Sequence, residues 1–155
     1  MRPPQGRLLL TIRDERGELV ASRAARNRVL RGGAEVIASL FAGARNTPID
    51  RVRLGFGEAS ADPTATALTP PPDAIPPERL EAALKPEHFT VRPGDDKVTV
   101  DVAAPFEPQQ DIAGVSEAGL VSGDVLYNQV IFEPVTLRQG QVVTFFWQID
   151  FPFGQ

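Results

Sequence analysis

The chain of 155 residues has no cysteine, a single histidine and no apolar run long enough to cross a bilayer. Without cysteine it has no disulfide, no thiolate nucleophile and no cysteine ligand for a metal. The apolar stretch Leu8–Ile12 near the N-terminus is too short for a membrane span or for the apolar segment of a secretory signal. We therefore expect a soluble protein with no signal peptide and no membrane insertion.

Few residues are left for a metal or cofactor site. The only histidine, His88, has no positioned partner, and sites built on histidine need partners. A carboxylate site for calcium or magnesium is the remaining option, with Asp95, Asp96 and Asp101 as the nearest set of acids. No calcium-loop motif surrounds them, and a turn of solvated acids explains them better. The sequence predicts no metal and no cofactor.

No catalytic constellation is evident either. Ser116 and Ser122 have no histidine to activate them as nucleophiles. Glu117 with Asp150 or Asp101 would supply the two carboxylates of a glycosidase, but twenty acids offer many such pairs by chance. We predict that the protein is not an enzyme and has no catalytic residues. A hydrolase is the third hypothesis, after the two given below.

Charge is unevenly divided along the chain. Residues 1–56 carry eleven arginines against five acids, a net charge of +6, whereas residues 57–155 carry five basic residues against fifteen acids, a net charge of −10. The arginines are spread singly with little aromatic interleaving, which does not favour a nucleic-acid surface. Complementary charge within the fold or between neighbouring subunits is the better interpretation, and it predicts an association that weakens with salt.

Alternation of apolar and polar residues dominates the chain and predicts strands. In Val142–Phe151 the odd positions are Val, Phe, Trp, Ile and Phe, so one face of a strand is continuously apolar. Residues 7–23 and 88–104 alternate on both sides of a turn signal and predict two hairpins, although Leu9 suggests partial cover of the second face. Further strands are predicted at 50–56, 114–121 and 125–132. The expected core partners of the last strand are Val52, Leu54, Val98, Val100 and Val102.

One helix interrupts the strands. The apolar residues that recur at helical spacing are Val36, Ile37, Leu40 and Phe41. Gly32-Gly33 weakens the start and Gly43 follows as a stop signal, so the helix is expected at about 33–42. A phosphate site would need a fuller glycine motif, so close packing of the helix start against a sheet is preferred. The predicted fold is mainly β, an antiparallel β-sandwich or open barrel of about seven or eight strands with one packed helix, in a single domain over residues 1–155.

A proline-rich arm, residues 57–86, separates the two halves of the strand pattern. Proline cannot sit inside a sheet, and the arm includes the run Pro70-Pro71-Pro72. Only Pro77–Leu84 has the composition of a short helix. A loop of this length in a compact domain is usually functional or draped over a neighbour. We expect the arm to contact another subunit or to lie across the sheet. Removal of residues 62–78 should then leave a folded monomer but weaken assembly.

Aromatic side chains are concentrated at the C-terminal end. Trp147 belongs to the apolar face and is expected in the core, with a carbohydrate-binding platform as the alternative for this cluster. Phe146 points to the polar face of the same strand, and Phe153 follows it beyond Pro152, so both are candidate partner contacts. The candidate contacts on the arm are Pro70, Pro71 and Pro72.

Three short motifs and their order resemble a known group of proteins. Asn27–Gly33 leads into the helix, Leu54-Gly55-Phe56-Gly57 ends a strand, and Glu117-Ala118-Gly119-Leu120 lies in a later strand. Over residues 19–151 this arrangement resembles small structural proteins of tailed bacteriophages and phage-tail-like particles. Those proteins share an Asn–hydrophobic–Gly helix entry, a Gly-x-Gly strand end and an EAGL strand. The arm is longer than their usual link, and the chain lacks the repetitive shaft of a complete fibre.

The resemblance implies a non-enzymatic structural subunit of a tail or tail-like particle, such as a fibre-attachment piece, collar, adaptor or baseplate component. Such a subunit would be made in the bacterial cytoplasm, become part of the particle, and contact copies of itself and other tail or baseplate subunits. The alternative is a stand-alone carbohydrate-binding β-sandwich module with a surface glycan as its partner. It would use Phe146, Trp147 and Phe153.

Overall fold

The described part of the chain, residues 5–58 and 62–154 of a computed structural model, contains ten β-strands and one α-helix. Of Gln5 only the backbone is described. In chain order the elements are β1 (Gln5–Arg13), β2 (Leu19–Val29), α1 (Arg31–Phe41), β3 (Arg51–Gly55), β4 (Glu81–Ala83), β5 (Phe89–Pro93), β6 (Lys97–Phe106), β7 (Ile112–Ser122), β8 (Val125–Leu126), β9 (Asn128–Leu137) and β10 (Val142–Pro152). Two 3-10 turns, Pro77–Leu80 and Pro86–His88, flank β4.

All ten strands belong to one antiparallel sheet that curls into a half-barrel. The strands lie in the order β4-β3-β7-β9-β2-β1-β10-β6-β5, and β8 pairs with β7. Because β4 at one end of this order contacts β6 near the other end, the curl encloses the core. The prediction of a mainly β open barrel with one helix is confirmed, and the alternative sandwich is not formed. The strand count exceeds the expected one because β4 and β8 have only three and two residues, too few to show a period.

The inner face of the curled sheet carries the apolar side chains of the alternating strands. β10 pairs with β1 and β6, which places Trp147 opposite Leu8 and Val102. Trp147 is 1% exposed, and its ring stacks on Phe145 at a centroid distance of 5.8 Å. The predicted inward face of the last strand is confirmed for Val143, Phe145, Trp147 and Ile149, with Phe151 partly buried. Of the predicted partners, Val52, Leu54 and Val102 are buried, and Val98 and Val100 are partly buried.

The helix begins two residues earlier than expected, at Arg31, and its buried residues are Gly33 and Val36. A Cβ at Gly33 would lie 2.1 Å from the carbonyl oxygen of Tyr127. The glycine therefore serves close packing against the residues after β8, as predicted, and this contact outweighs its low helix propensity. Gly43 follows the helix with a φ of +71°, the backbone conformation expected at a helix stop.

The second half of the proline-rich arm is part of the domain. The short helix expected at Pro77–Leu84 is formed only over Pro77–Leu80, as a 3-10 turn that begins with Pro77, and strand β4 replaces its second half. β4 pairs with β3, and the carboxylate of Glu81 forms ion pairs with two arginines of β3. The distance is 3.0 Å from Arg51 Nη1 to Glu81 Oε2 and 2.9 Å from Arg53 Nη2 to Glu81 Oε1. The residues of this part that enter the core are Leu80 and Leu84.

The first half of the arm is also attached to the domain. Leu68 is buried in a second apolar cluster, whose other members are Leu30, Val121 and Leu126. The N–H of Arg31 donates to the carbonyl oxygen of Pro63 at 2.8 Å. The arm therefore lies across its own domain, one of the two expected placements, and its contact with another subunit stays a prediction. Residues 59–61 of the arm lie outside the described part of the chain.

Candidate functional site

A cavity of about 870 Å³ lies on the outer face of the sheet, opposite the core. We call it the outer groove. It crosses β2, β1, β10 and β6 and ends at the turn Pro86–His88. Strand register sets four apolar side chains in a row on its floor: Ala24, Leu9, Phe146 and Ala103. Leu9 is 44% exposed and Phe146 is 42% exposed, so the floor presents two large apolar side chains to solvent.

A polar row runs beside this apolar floor. Its members in neighbouring strands are Arg26, Arg7, Gln148, Asp101 and Thr90. Arg7 Nη2 donates to Gln148 Oε1 at 2.9 Å. Arg92 of β5 binds Asp101, and the hydrogen bond and charge of this carboxylate raise the pKa of the guanidinium. The outer groove is therefore basic at the β1–β2 end, whereas the charge of Asp101 at the β6 end is balanced by Arg92.

A second apolar surface lies on the helix. Its exposed residues at i, i+3, i+4 and i+7 are Ala34, Ile37, Ala38 and Phe41, with Leu40 beside them. We call these five residues the helix patch. Phe41 is 94% exposed, and Ile37 and Leu40 are 44% and 41% exposed. The helix packs on β8 as the predicted single packed helix, but of its four apolar residues at helical spacing only Val36 is buried. An apolar helix face turned to solvent indicates a docking surface.

The five candidate partner contacts lie in three separate places. Phe146 is on the floor of the outer groove, whereas Phe153, 47% exposed, lies beyond the end of β10 and outside the groove. On the arm, Pro70 and Pro71 line a smaller cavity of about 370 Å³, and Pro72 is exposed beside it. The structure thus brings no two of the three groups together.

Sequence reasoning missed the helix patch as a surface. The signal was available in the helix sequence. Its eleven residues place apolar side chains on more than the single stripe that a helix needs for packing on a sheet, so some of them must face away from the sheet. For the outer groove the signal was the interruption of alternation at Leu9, which the structure places directly opposite Phe146.

The Gly-x-Gly and EAGL motifs meet in neighbouring strands, where Gly55 pairs with Glu117. The buried carboxyl group of Glu117 accepts hydrogen bonds from the N–H of Gly57 at 2.5 Å, the N–H of Thr69 at 3.0 Å and Gln129 Nε2 at 2.6 Å. A Cβ at Gly57 would lie 2.3 Å from Glu117 Oε1. The glycine therefore makes room for the glutamate, and the glutamate holds the arm at Thr69.

The remaining groups considered for chemistry are engaged in structural contacts. Asp150 accepts from Thr99 Oγ1 at 2.8 Å and lies 3.5 Å from Lys97 Nζ. Burial opposes ionisation of Asp150, but these contacts outweigh it and lower its pKa. Ser116 Oγ and Ser122 Oγ each donate to a backbone carbonyl. Within residues 5–58 and 62–154, no group of three or more acidic or histidine side chains is placed to hold a metal ion.

Comparison with known proteins finds no relative: no family model, no curated protein and no solved structure matches the chain. In the described residues, no helix is both long and apolar enough to cross a membrane.

Proposed function

We propose that the protein is a non-enzymatic structural subunit of a phage tail or phage-tail-like particle and acts through subunit contacts. The observation that carries this proposal is the helix patch, with Phe41 94% exposed at its end. A monomeric protein seldom presents several large apolar side chains together, because water contact with them costs free energy. The motif order described above supports a tail or tail-like particle as the place of assembly.

Sedimentation of particles from cells that carry the gene tests the proposal. A tagged chain should appear in the purified tail or tail-like particles by immunoblot and by gold labelling in negative stain. Phe41→Asp should abolish that incorporation, whereas Val20→Asp, at an exposed apolar residue outside the helix patch, should be incorporated like wild type. A chain that is found only as a free monomer, with particles complete without it, would contradict the proposal.

A second candidate function is carbohydrate binding, favoured by the exposed ring of Phe146 beside Arg7 and Gln148 in the outer groove. Aromatic rings and planar polar groups are suited to the apolar and hydroxyl faces of a sugar. Trp147 cannot stack on a sugar because it is buried. A glycan array with wild type and Phe146→Ala separates the candidates. Specific binding that is lost in Phe146→Ala, while the variant stays folded, would favour the module over the structural subunit.

A further inference from the structure

We infer that the outer groove of one copy receives the helix patch of a second copy of this chain, so that subunits associate head to tail. This inference rests on the proposed function and names the contact through which the subunit assembles. It is a contact between two different surfaces of the same chain. Contacts of this kind close into rings or continue into filaments, the geometries from which tubular assemblies are built.

The two surfaces match in chemistry and in form. The helix patch has the i, i+3, i+4, i+7 spacing with which amphipathic helices enter apolar grooves. The outer groove has a continuous apolar floor and a volume of about 870 Å³, the size of cavities that enclose an anchor group. Phe41 is the most exposed large apolar side chain of the helix, and Phe146 is the largest side chain on the groove floor.

The helix patch and the outer groove lie in separate parts of the molecule. The helix packs on β8, whereas the groove crosses β2, β1, β10 and β6. Each copy therefore offers one convex and one concave apolar surface to its neighbours. Glu35, exposed on the helix and 3.9 Å from Arg31 Nε of the previous turn, borders the patch, and Arg7 and Arg26 border the groove floor. In one orientation of the helix these opposite charges meet at the edge of the contact, which selects that orientation.

Pairing of two helix patches with each other is less suitable. Stable interfaces bury roughly 1,600 Å² in total, and two convex helices that touch through a few side chains cover only a fraction of this area. Insertion into the groove also brings the groove walls into contact with the sides of the helix. The concave surface therefore buries more area against the helix than a second convex helix does.

Complementation between two single variants tests the inference. Sedimentation equilibrium should show that wild type associates beyond the 16.8 kDa monomer as concentration rises. Phe41→Asp and Phe146→Asp should each weaken self-association by more than about 30-fold, the loss typical of a central aromatic anchor. Mixed together, the two variants should form a complex of one copy each and stop there, because each pair retains one intact patch and one intact groove. Val20→Asp, at an exposed apolar residue outside both surfaces, is the control and should associate like wild type.

The possible outcomes separate this inference from the proposed function. A mixture of the two variants that stays monomeric, or a Phe146→Asp variant that associates like wild type, overturns the head-to-tail contact. Circular dichroism and urea midpoints of the exposed-site variants show that folding is retained. If Phe146→Asp is incorporated into particles at the wild-type level, the proposed function is supported, but the head-to-tail contact is not needed for it. Complementation without any incorporation into particles would support the contact and overturn the proposed function.

Discussion

Adjacent residues of β10 lie on opposite faces of the sheet because side chains alternate across a strand. Trp147 is 1% exposed in the core, and Phe146 is 42% exposed on the outer face. Trp147→Ala should lower the free energy of unfolding by about 3–5 kcal/mol, since it opens a cavity that the sheet cannot close. Phe146→Ala is the matched control and should stay within about 0.5 kcal/mol of wild type. Urea denaturation followed by circular dichroism measures both, and wild-type stability of Trp147→Ala would contradict the core assignment.

Glu117 is the residue that joins the arm to the sheet. Glu117→Ala leaves two buried donors, the N–H of Gly57 and Gln129 Nε2, without an acceptor and also frees the N–H of Thr69, so we expect a loss of at least about 3 kcal/mol. Glu117→Gln should cost much less. Its amide oxygen can still accept from the backbone, and Gln129 Oε1, which has no hydrogen-bond partner in the described residues, can accept from the new amide. Equal losses in the two variants, measured by urea denaturation, would show that the hydrogen bonds are not what the glutamate contributes.

Tyr127 is the only tyrosine, and burial raises its pKa to about 12. The ordinary pKa of about 10 applies to the unfolded chain, so the contribution of Tyr127 to stability is complete below about pH 10. It is lost as pH rises from about 10 to about 12, by up to about 1.4 kcal/mol per pH unit. Absorbance at the tyrosinate band should titrate near pH 12 in the folded protein and near pH 10 in urea. Tyr127→Phe should flatten the alkaline fall in stability, and a folded-state midpoint near pH 10 would contradict the buried environment.

At the scale of elements, the arm behaves as part of the domain. Leu68→Ala should destabilise the fold by about 2–3 kcal/mol, near the lower end for such substitutions because its cluster is small. The exposed Pro72→Ala should change stability by no more than about 0.5 kcal/mol. Deletion of residues 62–78, expected from the sequence to leave a folded monomer, removes Leu68 and should now lower the urea midpoint. A deletion variant as stable as wild type would show that residues 62–78 contribute nothing to the stability of the domain.

The strands were predictable where they are long enough to show the alternation of apolar and polar residues. The alternation of β10, with Phe145 inward and Phe146 outward, follows from sequence alone because nine or more residues give the pattern room. β4 could not be predicted, since its pairing depends on arginines of β3 that are distant in sequence. Of the candidate site, Phe146 was predictable from its place on the polar face. The groove around it was not, because its walls come from four strands whose register only the fold sets.

The helix shows a different limit of sequence reasoning. Period alone identifies an apolar stripe but not what covers it, so the sequence does not show that Phe41 faces solvent. Gly33 then packs so closely on Tyr127 that the helix is held at its N-terminal end. The later turns are left exposed. A helix fixed at one end with apolar residues at the other is a local conflict within the isolated chain, and a partner would resolve it.

At the scale of the whole molecule, the opposed charges of the two chain segments are partly neutralised within the domain. Arg51 and Arg53 of the basic segment bind Glu81 of the acidic one, and Arg45 lies 3.8 Å from Asp124. These contacts agree with the expectation that the charges are partly satisfied inside the fold. Fewer of them are then left to orient neighbouring subunits, and exposed pairs contribute only roughly 0–1 kcal/mol each.

Salt dependence of association distinguishes the two kinds of contact. The sequence alone predicts that association weakens as salt rises past about 0.15 M, where the Debye length is about 8 Å. The structure favours an apolar contact through Phe41 and Phe146, which screening does not weaken. We therefore expect the oligomer mass to persist in molar sodium chloride and to increase in sulfate, which strengthens apolar association. Mass measurement across a salt series checks this. Dissociation by molar sodium chloride would instead mean that Arg7, Arg26 and the acidic residues they meet hold the subunits together, and that Phe41 and Phe146 contribute little.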